Sequence, residues 1–226
     1  PAQSGELTDF LKTFSLDSIL GAGQESSTAA SGLKEALSVG TRNAVKLLAV
    51  RNGYFGNEAV KILLPENIRK VTNALIVAGY QKEVDLFVLS MNRAAEKAAP
   101  KAVDIFAAAI RAMSIEDAQK ILNGGNTAAT EYYQAKTSSL LFDAFKPEIS
   151  QSMSEAGVTK AYKSLIDRYT SNVPFIKLDS LDLDRYVTNK ALDGLFYMLG
   201  REESEIRNNP AARTTELLKK VFGNKP

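Results

Sequence analysis

Hydrophobic residues recur along this chain at helical spacing almost from end to end. The densest apolar run is Val84 to Met113, VDLFVLSMNRAAEKAAPKAVDIFAAAIRAM. One polar island, Met91-Asn92-Arg93-Ala94-Ala95-Glu96, interrupts it. A segment this apolar belongs in an interior, and polar groups carried inside need partners.

The same periodicity predicts the other elements. Leu7, Phe10, Leu11 and Phe14 mark a short amphipathic helix, and the Gly/Ser/Ala stretch Gly21 to Ser31 reads as a flexible link. Residues 1–31 are therefore expected to form a tether or a packed short helix, and residues 32–223 a single domain. Leu33 to Val50 is a helix closed by Asn52-Gly53, and Glu66 to Ala78 is one closed by Gly79. Gln81 to Ala98 follows, and Pro100 separates it from a helix through Val103, Phe106 and Ile110. Ser114 caps a helix to Leu122, and Asn126 or Thr127 caps another to Phe145. Pro147 is expected to start a separate helix that Gly157 ends. Val158 to Tyr169, a long helix opened by Asp182 or Asp184 and running to about Asn208, and Pro210 to Phe222 complete the set. Val60 to Pro65 and Pro174 to Leu178 read as short extended pieces that could pair. The fold class is all-α: an irregular bundle of about ten helices, with room for one two-stranded β ribbon.

Composition narrows the chemistry. The 226 residues include no histidine, cysteine or tryptophan. Zinc, haem, copper and iron–sulfur sites lose their usual ligands, and His-dependent nucleophiles are excluded. We therefore expect no cofactor and no metal; any acid–base work falls to Asp, Glu, Lys or Tyr. The 28 basic and 26 acidic residues are interspersed, with no stripe for nucleic acid. No apolar run is long enough for a transmembrane segment.

Two polar groupings remain. Asn92 and Glu96 edge the apolar stripe of their helix, with Arg93 further round. On the helix 184–208, Glu202 falls in the middle of the face made by Ala191, Leu195, Met198, Leu199 and Ile206. Glu203 and Arg207 stand beside it at i, i+4, and Arg213 opens the next helix. The bland interpretation is helix locking, with Arg93 and Glu96 paired to Glu202 or Arg207. The sharper one gathers Asn92, Arg93, Glu96, Glu202, Glu203, Arg207 and Arg213 round a pocket for a small anionic or amphipathic ligand. A third makes Glu96 and Glu202 a hydrolytic carboxylate pair. Gly124-Gly125-Asn126-Thr127 precedes a helix start, but it reads as a C-cap followed by an N-cap and not as a phosphate loop.

Several motifs carry a resemblance. They are Gly32-Leu33-Lys34-Glu35-Ala36-Leu37, Val60-Lys61-Ile62-Leu63-Leu64-Pro65, the polar island itself, and Met113-Ser114-Ile115-Glu116-Asp117-Ala118 with Ile121-Leu122-Asn123-Gly124-Gly125. Tyr186 to Leu195, and Glu202-Glu203 through Ile206-Arg207 to Gly223, complete them. Over about residues 30–223 the chain resembles the uncharacterised bacterial domain-of-unknown-function family 4197. The resemblance implies an exported protein of Gram-negative bacteria, periplasmic or outer-membrane-associated, whose precursor carries a signal or lipoprotein leader. A chain starting at Pro1 fits that expectation. It implies no catalytic residue. The expected activity is thus a non-catalytic envelope binding or scaffold module, with an envelope protein or a small ligand as partner. The alternatives are a ligand-binding protein using the Arg/Glu seam and a carboxylate-dependent hydrolase of an envelope polymer.

Overall fold

One stripe organises the interior. Tyr133, Thr137, Leu141, Phe145, Ile149 and Met153 recur every fourth residue and are all buried. They belong to a single 28-residue helix, Ala128–Glu155. Spacing of four keeps a stripe on one side of a helix, so burying it draws several neighbours to one surface.

The computed structural model describes residues 16–155, 157, 160–164, 167, 182–209, 211 and 219, with side chains from residue 29 onward except Asn67 and Lys70. The helices bounded within them are α1 (Leu16–Leu48), α2 (Arg69–Val77), α3 (Gln81–Ala98), α4 (Ala102–Ala112), α5 (Ile115–Asn123), α6 (Ala128–Glu155) and α7 (Leu183–Asn208). Short 3-10 turns, Glu66–Ile68 and Ala99–Lys101, lead into α2 and α4. Helix α6 packs against α7, α3 and α4, while α1 lies across α7, α4 and α5. Phe87 of α3 stacks on Tyr162 with ring centroids 4.0 Å apart, and Phe106 of α4 tilts against Tyr133 of α6 at 5.1 Å.

The all-α class stands, and of the about ten helices expected, seven have their bounds among the described residues. Pro147 does not start a helix; it lies inside α6. Proline forfeits one backbone bond there, yet the buried stripe runs straight past it, and packing outweighs that loss. Gly21 to Ser31 is not a link but part of α1, which runs unbroken through residue 31. Glycine and serine disfavour a helix only mildly, and nothing in that stretch blocks its propagation from the packed turns after Ala30. The helix expected at 7–14, all but two residues of the one at 210–222, half of the one at 158–169, and the extended piece at 174–178 lie outside the described residues.

Val60 closes a turn on Asn57, and the run on to Pro65 forms no strand among the described residues. Its backbone pairs with a side chain instead. The Ile62 N–H donates to Asn92 Oδ1 at 2.8 Å, and Asn92 Nδ2 donates back to the Ile62 carbonyl at 2.8 Å. An amide side chain thus presents the donor and acceptor that a neighbouring strand would supply.

Candidate functional site

The polar island on α3 grips the irregular segment 49–65 that follows α1. Asn52 sits in the left-handed region at φ 69° and turns the chain, with Gly53 N–H donating to the Val50 carbonyl. The turn aims two successive backbone N–H groups at α3. Tyr54 and Phe55 N–H both donate to Glu96 Oε1, each at 3.1 Å. The other carboxylate oxygen of Glu96 takes Arg93 Nη1 at 2.5 Å, and Arg93 Nη2 donates to Asn52 Oδ1 at 2.7 Å. Glu96 is buried, while the Arg93 side chain keeps 30% exposure. Asn92 fixes Ile62 and also donates to the Val88 carbonyl of its own helix. The Phe55 ring lies under two cations, Lys61 at 4.7 Å and Arg93 at 5.9 Å.

Helix α7 holds the other side of this segment. The fully buried Tyr54 hydroxyl donates to the Ala191 carbonyl at 2.7 Å, and Tyr186 donates to the Leu63 carbonyl at 2.8 Å. Burial, then the nearby Glu96 charge, pushes the Tyr54 pKa far above the ordinary tyrosine value, so the phenol stays a donor. Gly194 is required at the crossing: a Cβ there would stand 2.8 Å from the Tyr54 ring and 3.1 Å from Val60.

A second cluster lies at the C-terminal half of α7. Glu203 accepts the Ala129 N–H at 2.9 Å, the Thr130 N–H at 2.8 Å and the Thr130 hydroxyl at 2.8 Å. These are unpaired donors of the first turn of α6, and a carboxylate there also meets the positive end of the helix dipole. Arg207 donates Nε to Glu203 at 2.9 Å and Nη2 to the Ile121 carbonyl at 2.8 Å. Both side chains of this pair are only 6% exposed. The helix start that follows Gly124-Gly125 therefore has an anion, and it comes from the chain itself. Thr127 bonds Glu131 at 2.9 Å as a local cap alongside it. Behind this pair the Tyr133 hydroxyl is buried with no hydrogen-bond partner among the described residues.

The expected meeting of Arg93 and Glu96 with Glu202 or Arg207 does not occur. Among the described residues the hydrogen bonds of the two clusters run to separate partners. Glu202 is half-buried and reaches Asn43 of α1 at 3.3 Å. Its stem lies over Gly40, where a Cβ would be 3.9 Å from Glu202 Cβ, and its charged end extends to the edge of the α1–α7 seam. Sequence spacing put Glu202 at mid-face, but the gap above Gly40 gives it a way out, and the enclosed carboxylate is Glu203. Arg213 lies outside the described residues. Of the residues that complete the α3 grip, Asn52 reads in the sequence only as a helix stop, Tyr186 only as the start of a motif, and Tyr54 not at all; only the run Val60 to Pro65 hinted at an ordered segment.

The space beside these residues is limited. Next to Glu203, a gap of about 20 Å³ lies among Leu33, Leu37, Gly40 and Leu199, enough for about one water. A groove of about 470 Å³ beside Phe55 is lined by Gly79, Lys82, Asp85, Leu86 and Leu89. No group of carboxylates suited to a metal ion occurs among the described residues, and no described helix is long and apolar enough to cross a membrane.

These features define a class: an all-helical bundle whose buried polar side chains hold its own backbone. Residues 23–223 match the family described as Protein of unknown function (DUF4197), and the chain belongs to it. No curated protein and no solved structure matches it.

Proposed function

We propose that this protein is a non-catalytic helical binding or scaffold module of the bacterial cell envelope. What carries the reading is the commitment of its buried polar groups. Asn92, Glu96 and Glu203 direct their oxygens at backbone N–H groups of this chain, and each glutamate also holds an arginine. A catalytic carboxylate or a ligand-binding arginine keeps a face for its substrate. These side chains serve as latches that make segment 49–65 and the α6–α7 crossing rigid. The envelope location rests on the family resemblance.

Purified protein should show no turnover on peptidoglycan, other glycans or phosphoesters. Turnover by the wild type that Glu96→Gln abolishes in a folded protein would favour the hydrolase reading instead. Fractionation of native cells tests the location, and recovery in the cytosol would remove it.

One observation favours the small-ligand alternative. The groove beside Phe55 has an apolar floor of Leu86 and Leu89, with Lys82 among its lining residues. A single-chain anionic amphiphile seated there should shift the NMR resonances of Phe55 and Leu86 in a saturable way. Unchanged spectra at millimolar amphiphile would exclude it.

A further inference from the structure

We infer that the solvent face of α4 is a docking surface for a second copy of this chain. Helix α4 reads AVDIFAAAIRA and is apolar at every position except Asp104 and Arg111. Composition of that kind belongs to a helix buried all round. Yet only Ala102, Phe106 and Ile110 are buried, one narrow stripe against the bundle. Val103, Ala108 and Ala112 are exposed, and Ile105 and Ala109 are half-covered. Ile105 and Ala109 border a mostly apolar groove of about 580 Å³ with Tyr132 and Leu140 of α6, rimmed by Asp104, Asp117 and Lys136, and Leu140 is 59% exposed. An open apolar helix face continuous with an apolar groove calls for a partner.

The charges say which partner. At 100° per residue, Asp104, Ala108 and Arg111 lie within about 60° of one another on the face opposite the buried stripe. Neither Asp104 nor Arg111 has an ion-pair or hydrogen-bond partner among the described residues. Place two α4 helices antiparallel about a two-fold axis between Ala107 and Ala108. Asp104 then faces Arg111 of the second copy, and the same pair repeats across the axis. Alanines stand at the crossing, where small side chains let helices approach closely. One free charge of each sign, seven residues apart on one face, matches its own reverse. A membrane surface or a nucleic acid would be met by charges of one sign. The inference stands apart from the scaffold reading, since a catalyst could dimerise in the same way.

Sedimentation velocity over a concentration series is the test, with circular dichroism to show that each variant is folded. The wild type should self-associate to a dimer, more weakly at high salt. Asp104→Arg alone and Arg111→Asp alone each set like charges face to face and should weaken the dimer at least about tenfold. The double reversal D104R/R111D should restore it to within about threefold of wild type. A wild type that stays monomeric across the series overturns the inference, as does a dimer indifferent to both single reversals or not recovered by the double one.

Discussion

The two glutamate latches use the same chemistry at different depths. Glu96 on α3 holds Tyr54 and Phe55 in an irregular segment, and its arginine is partly in water. Glu203 on α7 holds the first turn of the longest core-facing stripe, α6, and its arginine is enclosed. Both carboxylates accept two successive backbone N–H groups and an arginine, and Glu203 takes the Thr130 hydroxyl as well. What separates them is what each release exposes. Losing the Glu96 grip frees a loop and lets Arg93 rehydrate. Losing Glu203 takes the opposing carboxylate from an arginine that is only 6% exposed, in the seam where α5, α6 and α7 meet. The first latch therefore governs local order and the second the cooperative stability of the bundle.

The largest effect is expected at Glu203. In Glu203→Gln the amide can still accept one N–H of α6 and Arg207 keeps the Ile121 carbonyl, but the arginine charge, at 6% side-chain exposure, loses its opposing carboxylate. Breaking one side of a buried pair costs about 3–5 kcal/mol, a large part of a normal domain's stability. Urea denaturation should show the midpoint falling with an unchanged slope. A loss below about 1 kcal/mol would mean that Arg207 finds water, and the contrast in depth would collapse.

Glu96→Gln should cost less, about 1–2 kcal/mol, because Arg93 keeps Asn52 and reaches solvent. Its signature should be local. Amide exchange at Tyr54, Phe55 and Ile62 should quicken, while amides in the middle of α6 and α7 hold their protection. Uniform acceleration across the bundle would make Glu96 as global a latch as Glu203. Since the hydrogen bonds of the two clusters run to separate partners among the described residues, the double variant should lose close to the sum of the single losses, within about 0.5 kcal/mol.

The sequence announced some of this and concealed the rest. Helix spans were legible where a stripe coincided with a stop, as in Gln81–Ala98 between its tyrosine-led start and Pro100, or at Ser114, whose capping box with Asp117 closes both ways. They were not legible where two local signals disagreed. Pro147 argued for a break and the every-fourth stripe for continuity, and burial of Phe145, Ile149 and Met153 decided it. The polar residues were found, including the Glu203–Arg207 pair, because charges on apolar faces stand out. Their partners were not, since they are backbone groups. Any residue except proline offers an N–H, and only the turn at Asn52 aims those of Tyr54 and Phe55 at Glu96. Asn92 standing in for a strand against Ile62 hides the same way.

The smallest effect is the sharpest check on depth. Glu202 and Glu203 are adjacent and chemically identical, and helical projection favours Glu202 as the buried one. The structure reverses that order for a stated reason: Gly40 leaves room for the Glu202 stem to run outward to Asn43. Glutamine at 202 keeps the stem and still offers an oxygen to the Asn43 amide. Glu202→Gln should therefore change stability by no more than about 0.5 kcal/mol, as exposed substitutions do. Filling the gap couples the two positions. In Gly40→Ala the added Cβ meets Ile206 Cδ1 at 3.6 Å and Glu202 Cβ at 3.9 Å, ordinary contact distances, so the fold tolerates it and alanine favours the helix by about 1 kcal/mol. If Glu202→Gln instead costs as much as Glu203→Gln, the route over Gly40 is wrong. The enclosed carboxylate would then be shared between the two positions, and depth would no longer distinguish the latch on α7 from the one on α3.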